Sequence, residues 1–454
     1  MFRTNLPVRR LLFTLGTFAV LMAGALPAEA VRVQKVVSSG GIEAWFVRDT
    51  SVPLVAVDFM FRGGGALDPK DKAGRANLVA ALLDEGAGDL KSQAFQARIQ
   101  NLSIRLGFNA GYDSFSGSLR TLNRNRAEAL RLLRLALTQP RFDAEPVERM
   151  RSEILAEMKR RASRPGVIVR RTWRRVVFGE HPYGRPIRGT QKTLGAISTA
   201  DLRAFMETRI TKDRLIVGVS GDISVEELKA LLDEAFGGLP AKAAADSISP
   251  AKPGAQGQTF VVETPVPQSV ALFGLPGVSR KDPDYYAAFV MNHIIGGGTF
   301  SSRLYGEIRE KRGLAYSVYS YLDTRQAGPF WVGSVATANS GMAKSIALVR
   351  EQIQRMRDEG VSETELENAK LYLNGSFPLR FTSTDRIASI LVAMQYEKLG
   401  IDYLDRRPKM IAAVTRQDIA RVANRLLDPE KLTVVVVGKP NGIQPTAKAP
   451  DTKS

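Results

Sequence analysis

The chain has 454 residues, no cysteine, two histidines and a formal net charge of +18. The absence of cysteine excludes disulfides, thiolate chemistry and cysteine-liganded zinc. A chain of this length is long enough for two or three domains, each with its own hydrophobic core.

Residues 1–30 have the features of a cleavable signal peptide. A basic opening precedes an apolar run, residues 11–24, that is too short to span a bilayer comfortably. The sequence Ala28-Glu29-Ala30 has the small-x-small form of a cleavage site, so we expect cleavage after Ala30. The mature protein is then periplasmic or secreted, and no stable membrane insertion is expected because no later apolar run reaches membrane-spanning length. A secreted chain rarely meets nucleic acid, so the positive charge favours an acidic partner, acidic peptides or anionic envelope surfaces over nucleic acid.

Two segments match one another and predict an internal repeat. Residues 197–222 and residues 414–440 both begin with a Ser or Thr at a helix N-cap position and an Asp three residues later. Each then continues with a helix, a charged turn and an apolar strand that ends in glycine. The same number of residues separates Ser198 from Gly221 as separates Thr415 from Gly438.

Each half of the chain also contains a strand, a strand meander and long amphipathic helices. Strands joined by short turns predict an antiparallel sheet with helices covering one face, so the fold class is α+β with two homologous domains. The expected domains are residues 31–238 and residues 259–438. Residues 239–258, rich in Ala, Pro, Gly and Ser, are predicted to be a linker, and residues 439–454 a disordered tail.

The duplicated unit contains HPYGRPIRGT, LIVGVSGD and SRLYGEIREKRGLAYSVYS. With these motifs the whole mature chain resembles the pitrilysin (insulinase) family of zinc metallopeptidases, in particular its small processing-peptidase-like branch. Active members of that family carry His-x-x-Glu-His on a helix, whose two histidines bind zinc and whose glutamate is the general base. Here the matching helix is AGRANLVAALLDEG, which places Asn77, Ala80 and Ala81 at those three positions. The family's third zinc ligand, a later glutamate, matches Glu157. The resemblance therefore implies no metal or other cofactor in this chain and zinc in a partner subunit.

The resemblance also assigns a catalytic pair. In the family an arginine and, seven residues later, a tyrosine reach the zinc site, where the tyrosine donates to the oxyanion and the arginine grips a substrate carbonyl. Those positions are Arg309 and Tyr316 here. Gly296, Gly297 and Gly298 match in position the glycine-rich loop of the mitochondrial processing peptidase's non-catalytic subunit, so they are expected to let the backbone approach a substrate closely.

The local pattern around this pair predicts a short helix followed by a strand. Residues 301–312 can form the helix, and Gly313 would end it in the left-handed conformation. Tyr316 then opens a strand in which simple alternation places Tyr316, Val318 and Ser320 on one face. Such a turn can bring Arg309 and Tyr316 to one side of a cleft.

One half of an active site is therefore missing and the other half is kept. This combination predicts the non-zinc-binding subunit of a heterodimeric periplasmic metallopeptidase, inactive alone, that pairs with a homologous zinc-bearing subunit and acts on peptides. Two alternatives stay open: a catalytically inactive peptide-binding or scaffold protein of the same fold, and a binder of anionic surfaces, which the charge alone suggests.

Overall fold

The computed structural model describes residues 32–243 and 246–451, which form two large β-sheets with helices packed on them. The predicted signal peptide, with its cleavage site after Ala30, lies outside the described residues. The strands are β1 Gln34–Val37, β2 Glu43–Arg48, β3 Leu54–Arg62, β4 Gly86–Ala87, β5 Leu90–Lys91, β6 Arg105–Ala110, β7 Ser114–Leu122, β8 Leu215–Gly221, β9 Thr259–Glu263, β10 Gln268–Pro276, β11 Ala315–Asp323, β12 Phe330–Ala338 and β13 Thr433–Gly438.

Helices fill most of the chain between these strands. They are α1 Arg75–Ala80, α2 Ser92–Asn101, α3 Arg126–Thr138, α4 Ala144–Arg161, α5 Pro165–Phe178, α6 Gln191–Gly195, α7 Thr199–Arg209, α8 Val225–Phe236, α9 Tyr285–Asn292, α10 Arg303–Tyr305, α11 Met342–Asp358, α12 Glu363–Gly375, α13 Thr384–Tyr396, α14 Tyr403–Ala412 and α15 Arg416–Leu426. No helix in the two described ranges is both long enough and apolar enough to cross a membrane.

The two large sheets repeat one arrangement. The first has the strand order β1-β2-β8-β3-β7-β6, and the second, read from its other end, has the order β9-β13-β10-β12-β11. Apart from the additional strand β1, each strand of the first sheet has a counterpart at the same place in the second. In each sheet one pair is parallel, β2 with β8 and β9 with β13, and the other neighbours are antiparallel. The predicted duplication of an α+β unit is confirmed.

The helix starts that revealed the repeat form as predicted. The Ser198 hydroxyl accepts a hydrogen bond from the Asp201 backbone N–H at 3.2 Å, and the Asp201 carboxylate accepts one from the Ser198 N–H at 2.7 Å. Thr415 and Asp418 exchange the same two bonds at 3.1 and 3.0 Å. Each pair satisfies two backbone N–H groups that the first turn of a helix leaves without an intrahelical partner, which fixes where α7 and α15 begin.

Each sheet is covered on its second face by a helix from the other half of the chain. Helix α13 packs on β8 and β3 of the first sheet, where the Gln395 Nε2 group donates to the Val217 carbonyl at 2.8 Å. Helix α5 packs on β10 and β13 of the second sheet, and a Cβ on Gly274 would lie only 2.9 Å from the Trp173 ring. The expectation that helices cover one face of each sheet is therefore wrong, because the central strands are apolar on both faces and need cover on both.

The segments predicted to be a linker and a tail both lie against the two halves. The Gly254 backbone N–H donates to the Val177 carbonyl at 2.7 Å, and residues 244 and 245 of the same segment lie outside the described residues. In the tail, Thr446 pairs with Thr259 through hydrogen bonds of 2.8 and 2.9 Å. Whereas the sequence predicts disorder from residue 439, the structure docks part of residues 439–451 beside β9, because β9 is an edge strand whose outer backbone groups are open to pairing.

Candidate functional site

Arg309 lies among three aromatic rings, which we call the arginine cage: Phe300, Tyr305 and Tyr316. Its guanidinium carbon is 4.8 Å from the centre of the Tyr305 ring, 4.9 Å from that of Tyr316 and 5.9 Å from that of Phe300. A guanidinium group is attracted to the negative faces of aromatic rings at such distances. In addition, the Arg309 Nη1 group donates a hydrogen bond to the Tyr305 hydroxyl. The structure therefore brings the two predicted residues, Arg309 and Tyr316, into direct contact.

A short, irregular helix positions Arg309. Helix α10 passes directly into a π-helical turn, Gly306–Glu310, and Leu304 and Ile308 are fully buried beneath it. Gly313 ends the segment with a φ of +58°, as predicted. No sequence pattern predicted this π-helical turn, a feature that occurs frequently at functional sites.

Tyr316 reaches the cage because it is the extra residue of a β-bulge. Ala315 pairs with Thr337 and Ser317 pairs with Ala336, so no residue of β12 stands opposite Tyr316. The side chain of Tyr316 is 84% exposed, whereas Ala315 is buried on the face that alternation assigned to Tyr316. The prediction that Tyr316 shares a face with Val318 and Ser320 is therefore wrong, because a bulge shifts the alternation by one residue and redirects the side chain.

The three glycines beside the cage are tightly packed. Gly296 and Gly297 lie in a second π-helical turn, and Gly298 follows it. A Cβ on Gly296 would lie 3.0 Å from the Ser320 Cβ atom, and one on Gly297 would lie 2.6 Å from the Asn292 Nδ2 atom. Gly297 is exposed, whereas Gly296 and Gly298 are buried. The close approach of a substrate to this backbone stays a prediction, and Gly297 is the residue with the surface for it.

The predicted positions of the lost zinc site come together in the structure. Asn77, Ala81 and Glu157 line one cavity of about 590 Å³ between α1 and α4, and Ala80 is buried on the same helix as Asn77. Helix α4 presents Glu157 to this cavity four residues before its C-terminal end at Arg161.

The side chains at this place do not fit a zinc ion. Ala80 and Ala81 offer no ligand atom, and zinc sites are built from several thiolate, imidazole or carboxylate groups. The Glu157 carboxylate accepts a hydrogen bond from the Arg160 Nε group at 3.1 Å and also pairs with Arg161. The hydrogen bond from Arg160 and the charge of Arg161 lower the pKa of Glu157. Across residues 32–243 and 246–451, no three Asp, Glu or His side chains are grouped as metal ligands.

We therefore expect the purified chain to contain far less than one zinc ion per molecule. Ala80 and Ala81 remove two of the family's positions entirely, and Glu157 is occupied by arginines. Elemental analysis after dialysis without chelator measures the zinc content, and a His-x-x-Glu-His homologue treated in the same way is the control. One retained zinc per chain would contradict this expectation.

Two residues of the cage were not foreseen from the sequence. Tyr305 is buried and lies four residues before Arg309, a spacing that places two side chains on one face of a helix. That spacing was available as a signal. Phe300 is 70% exposed, and its ring meets the Tyr305 ring edge-on with centres 5.0 Å apart. Nothing in the local pattern indicates its contact with Arg309.

Comparison with known proteins identifies the fold. Residues 196–373 match the family model described as the peptidase M16 inactive domain. The crystal structure of a peptidase M16 inactive domain from Pseudomonas fluorescens superposes with a TM-score of 0.85 at 27% identity, covering 91% of this chain and 100% of the other. The chain has the fold of an inactive M16 subunit. The resemblance expected from the sequence motifs is confirmed.

Curated relatives of this chain include a protein named as a non-peptidase and a protein named as a peptidase subunit. A protein of Helicobacter pylori named non-peptidase homolog YmxG is 28% identical over 81% of this chain and 83% of its own length. A protein of Schizosaccharomyces pombe named probable mitochondrial-processing peptidase subunit beta is 26% identical over 87% of this chain and 88% of its own length. The chain is thus similar both to a named non-peptidase and to a named peptidase subunit.

Proposed function

We propose that this chain is the non-zinc-binding subunit of a heterodimeric periplasmic M16 metallopeptidase. In the complex, Arg309 and Tyr316 act on a peptide that is bound at the zinc site of a homologous partner subunit. The observation that carries this proposal is the bulged, 84% exposed Tyr316 beside the caged Arg309. A scaffold gains nothing from exposing a large aromatic side chain next to a restrained cation, whereas a substrate-binding surface does.

Each residue has a defined task in this proposal. Hydrolysis of a peptide bond passes through a tetrahedral oxyanion, and the Tyr316 hydroxyl is a donor that can reach it from the solvent-facing side of the cage. The Nη1 group of Arg309 is held by Tyr305, so its other N–H groups are left to grip a carbonyl of the bound peptide. The partner's zinc would polarise the scissile carbonyl and its water. The role named for the yeast relative, a peptidase subunit, supports such a division of labour.

Co-expression with a His-x-x-Glu-His homologue from the same organism tests the proposal. We expect the two chains to copurify as a heterodimer with metal-dependent peptidase activity, and each chain alone to be inactive. If the zinc-bearing chain is fully active by itself, the shared site is wrong, and the alternatives of an inactive peptide-binding or scaffold protein and of a binder of anionic surfaces stay open.

The cage makes a prediction about Tyr305. Replacing Tyr305 by Phe keeps the ring but removes the hydroxyl that holds Arg309, so we expect KM of the heterodimer to rise roughly tenfold with little change in kcat. Steady-state cleavage of a peptide series measures both constants.

The control is a double-mutant cycle with Arg309→Ala. Because Tyr305 acts through Arg309, Tyr305→Phe should change KM no further once Arg309 is absent. Additive effects of the two substitutions would show that Tyr305 contributes only to general stability.

A further inference from the structure

Gln352 is a buried side chain whose hydrogen-bonding groups have no partner. It lies in α11 and has no exposed surface, yet neither its Oε1 atom nor its Nε2 group makes a hydrogen bond within the described part of the chain. Buried polar atoms are nearly always paired, so a buried amide with both ends unpaired indicates that something else supplies the partner.

Gln352 borders one cavity, and a turn of its side chain would bring the amide to a partner held there. This cavity, of about 550 Å³, lies where α10, the C-terminal half of α11 and the first residues of α12 and α15 meet. Gln352, Arg355 and Glu359 follow one another at spacings of three and four residues, so one face of α11 and the turn after it line the cavity together. The site is separate from the arginine cage, none of whose residues line it.

Cationic groups line the cavity in excess of the carboxylates. Its basic side chains are Arg303, Lys311, Arg355 and Arg416, and its acidic ones are Glu307, Glu359 and Glu365. Each carboxylate is already bound. Glu365 accepts two hydrogen bonds from Arg303 at 2.7 and 2.8 Å, Glu307 pairs with Lys311 at 2.6 Å, and Glu359 pairs with Arg355 at 3.1 Å.

Donors remain after these pairs are formed. The Arg303 Nη1 group is buried and unpartnered, and Arg416 makes no ion pair with any residue in the described ranges. Arg416 uses its Nε group to donate to the Val361 carbonyl at 2.8 Å, which leaves both of its terminal nitrogens available. The unpaired groups at the cavity are therefore mostly donors on cations.

Two helices also begin at this cavity. Helix α12 starts after Ser362, which lines the cavity, and α15 starts with Arg416. Helix N-termini carry partial positive charge, so they favour anions. Ser362 with Glu365 and Thr415 with Asp418 already cap the first N–H groups of these two helices, so only the partial charge contributes here. The unpartnered amide of Gln352 adds a neutral donor and an acceptor to this setting.

We propose that this cavity binds a small oxyanion, a phosphate or a carboxylate group, which Arg416 meets first; the Arg303 Nη1 group and the Gln352 Nε2 group have no open surface in the empty cavity and turn toward the anion when it binds. The Gln352 Oε1 atom then needs a donor on the ligand. A protonated oxygen of hydrogen phosphate supplies one, and so does the N–H group next to the terminal carboxylate of a peptide. The site does not depend on the proposed peptidase role, because it is formed by this chain alone.

Thermal unfolding of the isolated full chain tests the site, with inorganic phosphate as the probe and chloride at equal ionic strength as the blank. At a hundredfold excess over the dissociation constant, phosphate should raise Tm by about 3 °C. Gln352→Leu and Arg416→Gln should each abolish the shift. Lys344→Gln, which removes an exposed charge of α11 outside the cavity, should keep it.

A second pair of probes separates the two sources of the oxyanion. N-acetyl-dialanine carries a terminal carboxylate and its own N–H group, and its C-terminal amide lacks the charge. Stabilisation by the acid but not by the amide identifies a peptide terminus as the ligand, and stabilisation by phosphate alone identifies a free anion.

Three results would overturn the proposal. One is an equal Tm shift in chloride, and another is an undiminished shift in Arg416→Gln. The third is a higher Tm for Gln352→Leu with no shift by any probe, which would mean that Gln352 is paired only by water. Arg416 is exposed, so Arg416→Gln decides the question even if Gln352→Leu does not fold.

Discussion

Replacing Tyr316 by Phe is expected to lower kcat of the reconstituted heterodimer by about a hundred- to a thousandfold, the usual effect of removing one donor from an oxyanion. The substitution removes only the hydroxyl. The ring keeps its contact with Arg309, and the side chain is 84% exposed, so folding and pairing should be unaffected. Steady-state cleavage by the variant pair gives kcat, and circular dichroism with size-exclusion chromatography checks the fold and the pairing.

Tyr319→Phe is the matched control for this experiment. Tyr319 lies on the same strand, is 41% exposed and stacks on Tyr321 with ring centres 6.3 Å apart, away from the cage. Its hydroxyl has no assigned task, so its removal should leave kcat unchanged. Near-normal turnover in Tyr316→Phe, or an equal loss in both variants, would show that the Tyr316 hydroxyl does not serve the oxyanion.

Trp173→Ala is expected to lower the free energy of unfolding by about 3–5 kcal/mol, as is usual when a large buried aromatic side chain is truncated. Trp173 is 6% exposed, and its ring packs beside Gly274 and edge-on against Phe330 at 6.1 Å. Trp173 belongs to α5 in the first half of the chain, whereas Gly274 and Phe330 belong to strands β10 and β12 of the second sheet. The cavity left by the substitution therefore weakens the contact between the halves.

Urea denaturation followed by circular dichroism measures this loss. Arg170→Ala is the control, because Arg170 is exposed on the same helix and surface substitutions usually change stability by no more than about 0.5 kcal/mol. An unchanged unfolding midpoint in Trp173→Ala would contradict the observed packing of α5 on β10 and β13.

The repeat and its helix starts could be read from the sequence because they depend on local chemistry. A hydroxyl at the N-cap and a carboxylate three residues later determine a helix start wherever they occur, and both Ser198 and Thr415 behave in this way. The sequence indicates that both faces of the sheets are covered, but it does not indicate which helices cover the second face. The run Val434–Val437 is fully buried, and a continuous apolar run indicates burial on both faces. Which helix provides the cover depends on packing between distant segments, for which a single sequence holds no local signal.

In the candidate site, too, some features could be predicted from local sequence and others could not. The spacing of Arg309 and Tyr316 placed them together correctly, and the matching helix placed Asn77, Ala81 and Glu157 around one cavity. The bulge at Tyr316 could not be predicted, since it arises from the register between β11 and β12 and the alternation rule assumes a regular strand. Tyr305 was within reach of the helical spacing rule, whereas Phe300 meets Arg309 only through the irregular backbone between them.

Helices α5 and α13 each cover the sheet of the other half of the chain, and this arrangement has a consequence during synthesis. The first sheet ends with β8 at Gly221, but the helix that covers its second face ends at Tyr396. A chain emerging from its N-terminus must therefore extend by well over a hundred residues before its first half is complete. Throughout that interval the apolar outer face of β8 is open to other unfinished chains, so we expect newly made molecules to depend on a chaperone until α13 arrives. For the same reason, a gene fragment that stops before α13 should yield an insoluble product.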